Sequence, residues 1–210
     1  MVNVSRTIRR LLNGEEGVTL VEALLVMPIV LIAITTMVEL GVAVFYWNQT
    51  VKAVQIGARH ASVSSPMMTM ATYDTFMADG LSTLNEGVAI PNNRISTSCG
   101  QGTTPCNPAA LNMMLTGGDG ICGRGSPRIG VCDVAPWVDA DNILITYTRS
   151  GLGYVGRPYG QVSTITVETV DLTFDFMILD SILPVLGTIA MPPNSVSVTS
   201  EDLSSCDTRC

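Results

Sequence analysis

A few residues in this 210-residue chain have the types and spacing that chemistry needs. Glu22 opens a long apolar run and stands five residues after Gly17. A carboxylate at the start of a membrane-spanning helix costs free energy unless it is paired or protonated: roughly 2.5–3.5 kcal/mol at mid-membrane, less near the edge. It is either an interfacial acid with no role or a residue kept for a partner. Six cysteines, Cys99, Cys106, Cys122, Cys132, Cys206 and Cys210, make an even count. Outside the cytosol they are expected to be oxidised. Six cysteines allow 15 pairings. Local pairing, Cys99–Cys106, Cys122–Cys132 and Cys206–Cys210, is the expectation. Zinc is the rival use, but there is no C-x-x-C pair and the cysteine-rich segment contains no histidine.

The other candidates reduce to structure. His60 is the single histidine and has no visible second member of a catalytic dyad, so it reads as a surface residue. Two G-x-G-x-x-G strings occur, Gly118–Gly123 and Gly151–Gly156. A dinucleotide fingerprint needs a helix directly afterwards. The second string is followed by Arg157-Pro158-Tyr159-Gly160 and then another strand pattern, so it reads as a glycine-rich hairpin connection. Asp139-Ala140-Asp141-Asn142 lacks the glycine and distal glutamate of a calcium loop and reads as a solvated acidic turn. With no catalytic, metal or cofactor constellation, an enzyme and a small-molecule substrate are not expected, and neither is any cofactor.

Composition points to a membrane. Hydrophobic residues make up 47% and charged residues 14%, against about 25% charged in an ordinary soluble domain. Mean hydropathy is +0.38. The net charge is −7, and Lys52 is the single lysine. Nucleic-acid binding needs cationic clusters, so it is excluded. Ala23–Trp47 runs 25 residues with one charge, Glu39. About 20 residues span a bilayer core, whereas a secretory h-region is roughly 7–15 residues. Arg6, Arg9 and Arg10 precede the run and place the N-terminus in the cytosol by the positive-inside rule. Phe45, Tyr46 and Trp47 stand where interfacial aromatic anchors belong.

The basic leader, the glycine and the glutamate five residues later resemble a type IV prepilin processing site. Val21-Glu22, Pro28, Val38-Glu39-Leu40-Gly41 and Ile56-Gly57-Ala58-Arg59-His60-Ala61 narrow this. Together they resemble the TadE-like proteins of the tight-adherence (Tad) pilus system, over about residues 14–64. Ala23 departs from the aromatic residue the family favours after the glutamate. The resemblance implies cleavage by a prepilin peptidase between Gly17 and Val18. It also implies partners among other pilus subunits and the inner-membrane assembly platform. Glu22 is then an assembly residue. Its carboxylate pairs with a neighbouring subunit's Val18 ammonium, since a buried pair is tolerated where either charge alone is costly. Glu39 lies 17 residues beyond Glu22, about 25 Å at ~1.5 Å per residue. It reads either as a boundary carboxylate at the outer interface or as a second assembly contact.

The remaining periodicities supply the scaffold. Val44, Trp47, Val51, Val54, Ala58 and Ala61 repeat at helical spacing, so the membrane helix is expected to continue to about Ser64, before Pro66. Met70, Tyr73, Met77, Leu81 and Leu84 suggest a second helix ending near Asn85. Residues 98–133 form a Cys/Gly-rich loop, with one helical turn at Ala109–Leu115. Ile143–Thr148, Ile165–Val167 and Val170–Ile178 alternate with period two, with a phase slip between Val167 and Val170 that calls for a bulge or bend. Val196 and Val198 suggest an edge strand.

The expected architecture is α+β. A long N-terminal transmembrane helix continues outside the membrane and packs on a small antiparallel sheet domain. The expected organisation is a cytosolic basic leader (1–17), a transmembrane and extended helix (18–64) and an extracytoplasmic domain (65–210). The expected role is a minor pilin or pseudopilin, single-pass in a bacterial inner membrane with its C-terminal domain outside. The alternative is a bitopic anchor presenting a disulfide-bonded binding module unrelated to pili.

Overall fold

The computed structural model describes residues 16–123, 128–157, 161–182 and 187–200. Its main element is helix α1, Glu16–Val63. The 48 residues extend about 72 Å at ~1.5 Å per residue, far beyond one bilayer thickness. The helix passes through Pro28 and stops just before Ser64-Ser65-Pro66, as the proline requires.

Two compact units divide inside α1. One joins α1 up to Ala43 with an excursion, Asp175–Thr188. The other holds Val44–Phe174 and the chain from Ile189 onward.

The second unit is a four-stranded antiparallel sheet in the order β1-β2-β3-β6. The strands are β1 Ile95–Gly100, β2 Ile143–Arg149, β3 Thr164–Thr169 and β6 Ser195–Thr199. Register follows side-chain character. Cys99, Ile145, Val167 and Val196 lie opposite one another across the four strands, and Tyr147, Ile165 and Val198 form the next row. On the other face Ser98, Thr146, Thr166 and Ser197 form a row of hydroxyls. Ser98–Thr146 and Thr166–Ser197 are hydrogen-bonded at 2.8 Å. Apolar and hydroxyl rows on opposite faces are the period-two signature of a sheet with one dry side.

The outer part of α1 covers the dry side. Ala53, Val54, Ala58 and Ala61 are buried in one core with Met67, Met114, Val131, Ile145, Tyr147, Ile165 and Val167. Small residues permit the close approach. A Cβ on Gly57 would lie 3.0 Å from Val131 Cγ2 and 3.7 Å from Val167 Cγ1. Where α1 enters this unit, Tyr46 stacks on Trp137 at 4.0 Å and meets Phe174 edge-on at 5.3 Å. Trp137 Nε1 donates to Thr50 Oγ1 at 3.0 Å.

Four expectations change. The docked face of α1 runs through Thr50, Ala53, Val54, Gly57, Ala58 and Ala61, whereas Val44, expected on the seam, is 59% exposed. Tyr46, expected as an interfacial anchor, is packed on Trp137 and Phe174. The second helix, α2, is only Met70–Ala78, because Asp79 leaves helical geometry and Gly80 follows at φ 67°. The expected loop 98–133 is part strand and part helix. It begins in β1 and contains α3, Pro108–Thr116, and α4, Val131–Val134. Asn107 caps α3 through its side-chain oxygen, Pro108 takes the first turn, and Gly117 ends the helix at φ 70°.

The phase slip resolves as a bend. β3 ends at Thr169, and Asp171 takes a left-handed φ of 54°. The chain then leaves the four-stranded sheet through β4, Thr173–Asp175, turns through the short helix α5, Leu179–Ile182, and returns as β5, Thr188–Ala190. β4 and β5 form a separate two-stranded ribbon.

Candidate functional site

Gly17 and Val18 fall in the first turn of α1, and Glu22 follows one turn after Val18. Glu22 is exposed and makes no hydrogen bond or ion pair among the described residues. Leu20, Val21, Leu24, Leu25 and Met27 around it are all exposed. Thr19–Val63 is the one stretch among the described residues apolar and long enough to cross a membrane, and its most apolar window buries nothing within the chain. A carboxylate here finds no compensation among the described residues.

Glu39 differs. It is 7% exposed, and its carboxylate accepts from Ile178 N at 2.5 Å and from Leu179 N at 3.1 Å. These amides open α5, where backbone donors lack intrahelical partners. The carboxylate therefore caps this turn, and each group offsets the other's desolvation. The partner amides lie 139 residues or more away in sequence, and no local signal announced them.

Cys99 is bonded to Cys106, and Cys122 to Cys132, the two local pairs expected for these four cysteines. Cys206, Cys210 and the basic leader with Arg6, Arg9 and Arg10 lie outside the described residues. The Cys122–Cys132 loop has a second organiser. Asp133 accepts from Gly123 N and Gly130 N, each at 2.7 Å.

The remaining candidates are structural in their contacts. His60 Nε2 lies 3.0 Å from the Ile129 carbonyl. Asp139 accepts from Asp141 N at 2.9 Å and caps the single turn Ala140–Asn142, so the acidic turn is a capping device. Gly151, Gly153 and Gly156 all have positive φ in the connection from β2 to β3, where no helix follows among the described residues. One buried charge was not anticipated. Arg149, 1% exposed at the end of β2, donates from Nη1 to the Met77 carbonyl and from Nη2 to the Asp79 carbonyl, both at 2.7 Å. It caps the carbonyl end of α2. Tyr147 is also buried, and its hydroxyl accepts from Met67 N at 2.8 Å. Burial pushes its phenol well above the ordinary range, against the Met67 hydrogen bond, which lowers it, and with Tyr73 adding to the rise.

Comparison with known proteins bears on α1 alone. The family model described as TadE-like protein matches residues 17–59. This is a TadE-like segment. It runs from the glycine of the expected processing site, through both glutamates, to the small residues docked on the sheet. No curated protein and no solved structure matches the chain. The TadE-like segment and the apolar helix together support a membrane-anchored component of a Tad-type pilus system.

Proposed function

We propose that the chain is a TadE-like minor pilin or pseudopilin, cut by a prepilin peptidase between Gly17 and Val18. The single observation that carries this reading is Glu22. It is a carboxylate one turn into a bare apolar helix, with no partner among the described residues, within the segment that matches TadE-like proteins. Such a charge is costly in lipid unless another chain supplies a cation. The new Val18 ammonium of a neighbouring subunit is that cation. The mature helix is the packing element and the sheet domain supplies specific contacts. In this reading the leader is cytosolic, the membrane is the bacterial inner membrane, and the partners are pilus subunits and the assembly platform.

The test measures the intact mass of the native protein and the piliation of cells carrying variants at matched protein level. Expected are a mature chain beginning at Val18, and loss of piliation with both Glu22→Ala and Glu22→Gln while export is kept. Mature protein retaining Gly17 refutes the processing step. Normal piliation with Glu22→Gln refutes the pairing and favours the simple anchored module.

A further inference from the structure

The excursion out of the sheet has an unusual composition for a connection outside a membrane. From Phe174 to Met191 the charged residues are Asp175 and Asp180, and none is basic. The rest is chiefly Phe, Met, Ile, Leu and Val. Asp175, Asp180, Ser181 and Thr188 are exposed, and two polar contacts join its limbs. Phe176 N donates to the Gly187 carbonyl at 2.9 Å, and Thr188 Oγ1 donates to Asp175 Oδ1 at 2.8 Å. A Cβ on Gly187 would overlap the Asp180 carboxylate, so the two limbs close tightly. The apolar groups at the tip of its first limb, just before α5, are turned outward: Met177 is 84% exposed and Ile178 52%.

What lies beside the tip is the apolar band of α1. The Glu39 carboxylate that receives the Ile178 and Leu179 amides fixes the tip at the level of residue 39. On α1, Met37, Val38, Leu40 and Val42 are exposed around that level, and Val44 and Phe45 are exposed beyond it. Excursion and helix belong to one compact unit. Bare helix at this level is covered by lipid if α1 spans the bilayer, and the bare tip is continuous with it. The hydrogen bonding suits such a medium. Lipid offers no partner to an orphan backbone N–H or to a lone carboxylate, and here each satisfies the other.

We propose that the first limb of this excursion, Phe176–Leu179, is a second membrane contact. Its Met177–Ile178 tip enters the acyl-chain boundary of the bilayer beside α1, with Glu39 as the tether. The protein then touches lipid through two elements, one spanning and one dipping in from the face toward which the C-terminal end of α1 points. The inference rests on α1 being a membrane span, and the experiment separates the two.

Full-length protein is reconstituted at low density in phosphatidylcholine vesicles with an apolar aryl diazirine dissolved in the acyl region. It is then irradiated, digested and mapped by mass. Expected is carbene label on the peptide containing Met177 and Ile178 as well as on Leu20–Val42. Label on α1 alone overturns the proposal and leaves the span intact. Label on neither overturns the span itself. Glu39→Ala should lose most of the tip label with the α1 label unchanged, and an undiminished tip label refutes the tether. Met177→Asp should likewise lose tip label. If tip labelling is absent at low density, and cross-links from the tip to a second copy appear at high density, the exposed residues are a subunit contact and the lipid assignment is wrong.

Discussion

Gly57 is where the TadE-like segment meets the sheet, and its replacement is the sharpest test of how α1 docks. Glycine inside a helix is ordinarily a defect, and alanine there is favoured by about 1 kcal/mol. At Gly57 that gain is opposed. The new Cβ would lie 3.0 Å from Val131 Cγ2, 3.6 Å from Met114 Sδ and 3.7 Å from Val167 Cγ1. Met114 is flexible and yields. Val131 does not yield easily, because it opens the four-residue α4 beside Cys132, which is bonded to Cys122. Overpacking a close-packed core costs about 1–3 kcal/mol. Gly57→Ala should therefore fall between neutral and about 1 kcal/mol destabilising, the propensity gain offsetting part of the strain. Gly57→Val pushes two further methyls against the same wall and gains less helix propensity than alanine. It should destabilise the sheet unit by about 2–3 kcal/mol.

Gly41 provides the control on the same helix, since a Cβ there meets nothing within 4 Å. The assay is thermal unfolding of the full chain in mild detergent, followed by near-ultraviolet circular dichroism of the tyrosine and tryptophan signals. The reporters Trp137, Tyr73 and Tyr147 all lie in the sheet unit. Gly41→Val should leave that transition unmoved. A Gly57→Val protein that melts with the wild type would show that α1 does not press on β3 and α4 here, and the docking argument fails.

Three further outcomes follow from the same contacts. Arg149→Ala strips the Met77 and Asp79 carbonyls of their donor, and hydrogen bonds to a charged group contribute about 1.5–3 kcal/mol each, so a loss of roughly 3 kcal/mol is expected in the same melt; Arg149→Lys should recover only part, because an ammonium lacks the two-pronged reach. Paired Cys122→Ser and Cys132→Ser substitution should cost about 2–3 kcal/mol, since the bridge closes a short loop, and alkylation of the unreduced wild-type protein should label none of the four bonded cysteines. The Tyr147 and Tyr73 phenols are both pushed above the ordinary value of 10.0, chiefly by burial, so the native state holds their protons more tightly than the unfolded chain does; their contribution is intact below pH 10 and is lost as pH rises from there through the folded values, so the part of the phenolate absorbance that Tyr147→Phe and Tyr73→Phe remove should appear together with unfolding, and finding that part in a still-folded protein at pH 10 would contradict their burial.

The elements that periodicity could reach were legible. α1 shows itself by length and apolarity, and its end by Pro66. β2, β3 and β6 alternate because one face is dry. β1 hid because Ile95-Ser-Thr-Ser-Cys-Gly has few apolar residues to alternate, and its wet side belongs to the hydroxyl row. α2 was overextended because Leu81 is buried like the residues before it, although Gly80 has already ended the helix. The seam on α1 was misplaced for a related reason. Hydrophobicity alone does not mark a docking face on this helix, where the apolar Val44 is exposed while Thr50, Gly57 and Ala58 are buried and small enough for the sheet. Of the candidate site, Glu22 was readable because a lone carboxylate in an apolar run is anomalous by itself. The contacts of Glu39 and Arg149 were not, because backbone groups from distant segments leave no mark on the sequence.

The two glutamates of α1 are alike in sequence context and opposite in circumstance. Glu39 has its donors within its own chain, so neutralising it needs no second molecule. Glu22 has none among the described residues, so in an apolar medium it is stable only when protonated or paired with a cation from outside them, which the proposed reading assigns to a neighbouring subunit. The difference gives the two positions separable phenotypes. Loss of the Glu39 carboxylate should disturb the Asp175–Thr188 excursion in an isolated molecule, and therefore show in purified, dilute protein. Loss of the Glu22 carboxylate should leave that molecule unchanged and appear only where subunits meet. On the proposed reading, α1 carries one acid whose donors lie in its own chain and one whose partner is the ammonium of a neighbouring subunit, and the two substitutions tell these circumstances apart.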